Sequence, residues 1–532
     1  MEFLAPNFNC LTSAQQEHLV AFAEGLNDAE HRVSALRALE GGLGGLAPAL
    51  QQRLVDLAEG LNDAEHRVSA LRTLGVGLGG FAPALQQRLV DLAEGLHPEH
   101  RVSALEVLGA RMGEFSPALQ QRLVDLAEGL DDPEYRVSAL VCLAGGVGGL
   151  VSGLQQRLID LAEGLNHPEQ HVSALEQLGL AVDEFAPALQ ERLVDLAEEL
   201  NPEHRVSVLR ALGIGVGGLG PALQQRLVDL AEGLHEPPEY RISVLEGLGA
   251  GVGRLAPALQ HRVVNLAAGL VDPELRAEAL EGIGPAVGAL VPALQQRLVV
   301  LAEGLAQPEH RTTAMWGLGA GVEGLAPALQ QRLVVLAEGL AQPQHRVLAL
   351  QALGPGVGKL LPELQQRLVV LAEGLARPQH RVLALWAFRE GVGRFAAALQ
   401  QRLVVLAERL AQPEHRAAAM WGFRAGLGRL TPELQERLVV LAENFNDPGD
   451  SVSGLRTVGA GAGGLTPELQ ERLVTLAESL NNSGHRVSAL RVLGASVGSL
   501  PRALQRRLAA IADGLVQPGD RALALAALCP RQ

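Results

Sequence analysis

Aromatic residues are scarce in this chain: they make up 3% of 532 residues, with three tryptophans and two tyrosines. The apolar material is nearly all Leu, Val and Ala, so any aromatic side chain standing in the open needs a reason. Cysteine is scarcer still. Cys10, Cys142 and Cys529 are far apart and odd in number, which gives no disulfide framework and no cysteine zinc site and points to a reducing compartment, the cytoplasm. No apolar run approaches the roughly 18 residues needed to span a bilayer. The opening MEFLAPNFNCLTSAQQEHLV lacks a basic stretch followed by an apolar one, so no Sec-type signal is expected either. Basic residues are outnumbered, 44 Lys+Arg against 59 Asp+Glu for a net charge of −15. That balance argues against a general nucleic-acid coat and against an anionic membrane surface. Chemistry is missing too. There is no Ser/His/Asp set, phosphate loop, HExxH or CxxC. Segments such as GIGVGGL follow a helix rather than a strand, which is the wrong context for a dinucleotide fingerprint. Carboxylates recur in every unit and so single out no acid/base pair. No enzyme activity, cofactor or metal is expected.

What is present is one unit, fifteen times over. The first residue of RLVDLAEGL and its variants falls at His18, Arg53, Arg88, Arg122, Arg157, Arg192, Arg226, Arg262, Arg297, Arg332, Arg367, Arg402, Arg437, Arg472 and Arg507. The spacing is 35, with two intervals of 34 and one of 36. All three length changes fall at LHPEH, LNPEH and LHEPPEY, which marks that segment as a surface loop. Each unit reads as two helices. In TPELQERLVVL, Thr431 is placed to cap, Pro432 suits the first turn, and Leu434, Leu438, Leu441 and Phe445 share one face. Asn446–Pro448 is a second cap. In repeat two, Val68, Leu71, Leu74 and Leu78 form the inner stripe of the second helix. The glycines after that helix admit two readings: a C-terminal stop with a tight turn, or close approach of neighbouring helices. A single pair of this size cannot bury its apolar face alone, so stacked pairs must share a core. Residues 1–17 are expected to be an N-terminal cap, 18–506 fourteen helix pairs, and 507–532 a partial C-terminal repeat.

The stretch LVDLAEGLDDPEYRVSALVCLAG, Leu123 to Gly145, resembles a HEAT repeat. Asp132-Pro133 in the turn, Arg136-Val137 opening helix two, Ala139-Leu140 and Leu143 match that pattern in type, with the usual Val-Arg order reversed and a shorter unit. The resemblance, HEAT-like or armadillo-like, extends to essentially every repeat. It implies an all-α, right-handed α-solenoid, a superhelix of about fifteen 35-residue two-helix repeats, with second helices lining a concave face and protein binding as the commonest role. Pentatricopeptide and tetratricopeptide units have similar lengths, but their aromatic and small-residue spacing is absent. TAL-effector repeats, which read DNA, open with LTP, as do Leu430 and Leu465 here. The Gly-Gly-Lys turn that carries their variable pair is missing.

Copies compared with one another show where side chains are free to differ. Five residues past the Arg of EHR the column reads Arg37, Arg72, Glu106, Val141, Glu176, Arg210, Glu246, Glu281, Trp316, Gln351, Trp386, Trp421, Arg456, Arg491 and Ala526. A core position would not exchange Arg, Glu and Trp, so the column is read as solvent-facing. It holds all three tryptophans. Nearby lie Lys359, Arg389, Arg394, Arg424 and Arg429, and Arg332–Glu436 carries 13 basic against 8 acidic residues. Exposed Trp beside Arg is the composition of interface hot spots and permits cation–π contact. The expected site is therefore a groove patch of Trp316, Trp386, Trp421, Arg389, Arg394, Arg424, Arg429 and Lys359 in repeats nine to twelve. The competing expectation is that the tryptophans shield the glycine-rich stretch of a neighbour. A second column changes from Asp56, Asp91, Asp125, Asp160, Asp195 and Asp229 to Val300, Val335, Val370, Val405 and Val440. On an outer face those valines would form an apolar ridge suited to self-association or a partner; a neutral change copied by duplication is the alternative. Nine histidines recur in the turns, at spacings too long to share a metal. They are assigned to hydrogen bonding at the helix start or between repeats, and the EHR and RLVDLAE charges to inter-repeat ladders. The functional expectation is a non-enzymatic scaffold binding an acidic or amphipathic protein segment. Nucleic-acid binding confined to the basic stretch, and a structural spacer, are the alternatives. The near-identical copies are similar to those of bacterial effectors delivered into host cells.

Overall fold

The computed structural model describes residues 13–234 and 236–528. Cys10, Cys529 and most of the expected cap, 1–17, lie outside them. The described residues form thirty α-helices and short 3₁₀ turns, with no strand. They alternate as first and second helices of a repeat, which makes each part of the chain an α-solenoid of HEAT-like pairs. The chain divides into two compact units, Met1–Leu255 and Ala256–Gln532. No helix among the described residues is long and apolar enough to cross a membrane.

The local grammar is the same in both units. A first helix such as Pro432–Glu443 begins with proline, and the residue before it, Thr431, is held extended at φ −64°, ψ 152°, as proline demands of its predecessor. The Thr431 side chain makes no cap bond to the backbone of the helix; its hydroxyl bonds instead to the Glu433 carboxylate in the first turn. At the second helix the cap is a side chain: Asp447 accepts from the N–H groups of Gly449 and Asp450. The predicted stripes are buried. Leu434, Leu438, Leu441 and Phe445 are covered in one repeat, and Val68, Leu71, Leu74 and Leu78 in another.

Three polar devices lock the stack. The RLVDLAE arginine reaches back one repeat to a glutamate. Arg88 donates to Glu59 through Nε at 2.7 Å and Nη2 at 2.6 Å, and Arg332 and Arg367 repeat the fork on Glu303 and Glu338. This is the expected inter-repeat ladder. The EHR arginine differs from expectation, because it works within its own repeat. Arg67 Nε donates to the Leu61 carbonyl at 2.5 Å and Arg311 Nε to that of Leu305 at 2.6 Å. The end of a first helix leaves carbonyls unbonded, and this arginine satisfies them. The third device is a buried glutamine. Gln120 Nε2 donates to Met112 O at 3.0 Å and to Gly149 O, in the next repeat, at 2.9 Å.

The glycines serve both readings: Gly77, Gly215 and Gly321 end second helices just ahead of a 3₁₀ turn, and others permit close approach. No glycine among the described residues has positive φ, so no left-handed helix stop is used. A Cβ on Gly213 would sit 2.7 Å from Leu248 N and 2.9 Å from Gly247 C, so successive second helices touch backbone to backbone. The histidines follow the expected helix-start and inter-repeat roles only in some copies. The cap bond at His66 and His204 uses the backbone N–H, which donates to Asp63 and Asn201. The side-chain Nδ1 atoms of His310, His380, His415 and His485 are buried without a hydrogen-bond partner, whereas His66 Nδ1 lies 3.4 Å from Asp63 and His345 Nε2 reaches Glu309 of the preceding repeat at 3.4 Å. No group of three or more potential metal ligands occurs among the described residues.

Candidate partner-binding face

Because second helices stack so closely, the variable column brings side chains of successive repeats within reach of each other. Wherever its side chains are described, the column is exposed or half-exposed. In the first unit it neutralises itself. Arg72 pairs with Glu106 at 3.4 Å, Arg210 with Glu176 at 3.0 Å, and Arg37 donates to Ser69 Oγ at 3.1 Å.

In the second unit the column carries the tryptophans. Trp316 and Trp386 are 42% and 41% exposed, large for indoles in a folded chain. Trp386 also ties two repeats together, its Nε1 donating to the Ala418 carbonyl at 2.6 Å. The ring of Trp386 thus meets solvent while its N–H is bonded to the next repeat. Trp421 is half-buried in the 3₁₀ turn Trp421–Phe423 that ends its helix early. The Arg424 guanidinium lies over its ring, 5.0 Å from the centroid, the predicted cation–π geometry.

The basic residues divide into two sets. Lys359 is bound to Glu323, and Arg389 to Glu390 at 3.0 Å. Arg394, Arg424 and Arg429 are exposed and make no side-chain hydrogen bond or ion pair among the described residues. The free positive charge of the patch is thus three arginines rather than the five basic groups counted in sequence. Two further arginines of the column, Arg456 and Arg491, are also exposed and unpaired. They line a hollow of about 500 Å³ with Trp421 and Arg424. The sequence-based patch ended one repeat short of them.

On the first helices, Val300, Val335, Val370 and Val440 are 48, 49, 51 and 38% exposed, and Val405 is half-exposed. In the first unit this position serves the ladder. Asp56 and Asp125 give Arg88 and Arg157 a second carboxylate, each at 2.6 Å. Where valine replaces aspartate, as at Val335 and Val370, the arginine of the following repeat keeps only its glutamate. At these positions an exposed valine stands where the first unit has the second carboxylate of the ladder.

The ladder perturbs its carboxylates. Hydrogen bonds from Arg332 and Arg507 hold Glu303 and Glu478 below the ordinary glutamate range. Cys142 moves the other way, its thiol pushed up to about 11 by burial and by Glu106.

No model of a known protein family matches the chain, and no curated protein matches it. Among solved structures it is similar to the karyopherin Kap121p bound to the SUMO protease Ulp1p, at 12% identity over 97% of this chain and 70% of that one, with a TM-score of 0.43. It is also similar to Kap95 in its complex with Nup1, at 14% identity over 97% and 79%, TM-score 0.48, and to importin beta, at 12% over 96% and 84%, TM-score 0.41.

Proposed function

We propose that this chain is a non-enzymatic scaffold that holds an acidic or amphipathic protein segment along the second-helix face of repeats nine to twelve. The observation that supports this reading is the pairing of solvent-exposed indoles, Trp316 and Trp386, with arginines that no carboxylate neutralises, Arg394, Arg424 and Arg429. Aromatic and arginine side chains dominate interface energetics because they bury large areas and hydrogen-bond at low entropic expense. A partner recovered with the intact chain and then purified should lose about 2 kcal/mol or more of affinity on Trp316→Ala plus Trp386→Ala. An unchanged affinity refutes the reading. Salt dependence separates it from nucleic-acid binding, which predicts a steep linear fall of log affinity with log salt. The valine ridge supports a second role, self-association, since four exposed valines stand in register on one face. Val335→Asp plus Val370→Asp should then abolish any concentration-dependent sedimentation of the intact chain.

A further inference from the structure

The strongest unassigned feature is the hollow across repeats twelve to fourteen. It spans three successive second helices, beginning with Pro413–Met420 and its 3₁₀ extension and followed by Pro448–Gly459 and Ser483–Gly494. Arg424, Arg456 and Arg491 line it, with Trp421 and Ser488. None of the three guanidinium groups has a hydrogen-bonding or ionic partner among the described residues, and no carboxylate is among the hollow's lining residues. In the first unit the same column pairs its arginines internally: Arg72 takes Glu106 and Arg210 takes Glu176. At repeats thirteen and fourteen, arginine faces arginine instead. Three like charges held together in a chain of net charge −15 repel one another, and an incoming anion relieves that repulsion.

The shape of the ligand follows from the helix spacing. Packed helices lie about 8–10 Å apart, so Arg456 and Arg491 present their forks at roughly that interval. A polyproline-II segment returns to the same side every third residue, about 9 Å along its axis. An extended strand does so every second residue, about 7 Å. We infer that this hollow is a subsite for an extended, polyproline-II-like acidic peptide segment with carboxylates three residues apart, one on Arg456 and one on Arg491. Arg424, stacked on Trp421, takes a third carboxylate at the next interval. Ser488 offers a hydroxyl between the forks. The inference deepens the proposed scaffold role and rests on it; it shares Trp421 and Arg424 with the patch of repeats nine to twelve, but Arg456 and Arg491, which carry its register, lie outside that patch.

The test uses the full chain with Trp316→Phe and Trp386→Phe, which leaves Trp421 as the sole indole. The probes are short synthetic peptides bearing two or three aspartates at every second, third or fourth position. Binding of the third-position peptide should change Trp421 emission and be tightest of the set. Arg456→Ala and Arg491→Ala should each weaken it about tenfold, the usual worth of a charge-assisted pair. Both side chains are exposed, so helicity should be unchanged, which circular dichroism verifies. Arg456→Lys should restore only part of the loss, because lysine lacks the planar fork. Undiminished binding in the arginine variants overturns the subsite, and equal binding of all three spacings overturns its register. Tighter binding of a single-stranded oligonucleotide, with a steep salt slope, assigns the charge to nucleic acid instead. Capture of a protein that depends on Trp316 and Trp386 but not on Arg456 or Arg491 leaves the scaffold role standing and removes this subsite alone.

Discussion

Replacing Gly213 by alanine tests the close stacking on which the exposed column depends. In an ordinary helix interior this change stabilises by about 1 kcal/mol. Here the new methyl would lie 2.7 Å from Leu248 N and 2.9 Å from Gly247 C, both backbone atoms of the next second helix. No rotamer relieves that overlap, so the two helices must part by a few tenths of an ångström. Overpacking of this kind costs about 1–3 kcal/mol. Gly153→Ala is the control: it is also helical, but nothing lies within 4 Å of the position a Cβ would take. The same substitution should therefore stabilise at Gly153 by up to about 1 kcal/mol and destabilise at Gly213. Long repeat arrays need not unfold in one step, so the readout should be local. Hydrogen exchange in peptides covering Pro202–Ile214 and Glu239–Gly251 should quicken about five- to hundredfold in Gly213→Ala, the equivalent of about 1–3 kcal/mol. Protection that stays constant or rises would refute the claim that backbone contact sets the stacking.

Further outcomes follow from the polar locks and from the buried thiol. Gln120→Leu removes the donor to Met112 O and Gly149 O and should cost about 1 kcal/mol per bond in urea denaturation. Gln120→Glu should be worse at neutral pH, where a charged carboxylate would face two carbonyl oxygens, and should recover as acid protonates it. Glu303 and Glu478 have lowered pKa values in the fold, so their contribution to stability is in place above the ordinary value of 4.5 and is lost as the pH falls below it. Acid titration of helicity should show that loss, and high salt should blunt it. In a Cys10→Ser, Cys529→Ser chain, Cys142 should react with a thiol reagent far more slowly at pH 8 than a free thiol does, because its pKa near 11 leaves it protonated; reaction at the free-thiol rate would contradict its burial.

The helix pairs were legible because hydrophobic spacing and proline punctuation repeat every 35 residues, and repetition averages out local ambiguity. The Arg–Glu ladder was legible for the same reason. The glutamine lock was not, since a polar residue on a helix reads as solvent-facing by default. Its signal was nevertheless there. The first residue of the QQ pair, Gln51, Gln120 or Gln330, never varies among the fifteen copies, while the second becomes Glu191, His261 or Arg506. Invariance between copies marked burial where residue type did not. Partnering was the least legible property. Lys359 and Arg394 look equivalent in sequence, yet Lys359 is paired with Glu323 of the preceding repeat and Arg394 is free, because the difference depends on which carboxylate the fold brings near. Arg456 and Arg491 were placed in the right column but outside the site, because the charge was counted over a window ending at Glu436.

That column carries the last argument. Two changes separate the second unit from the first: column arginines lose their column glutamates, and ladder aspartates become exposed valines. Each removes a contact the chain could have made with itself, and each leaves a surface that an outside group could satisfy. Supplying the missing partner from within should therefore close the subsite without harming the fold. Arg456→Glu would place a carboxylate beside Arg491 and Arg424, as Glu106 lies beside Arg72 in the first unit. The resident repulsion becomes attraction, so stability should hold or rise by up to about 1 kcal/mol, the range for exposed pairs. Binding of the acidic peptide should fall by more than the Arg456→Ala variant loses, since one fork is gone and the remaining two are occupied. Glutamate that binds peptide as well as alanine does, or that unfolds the repeat, would show that the three arginines do not act on a common ligand.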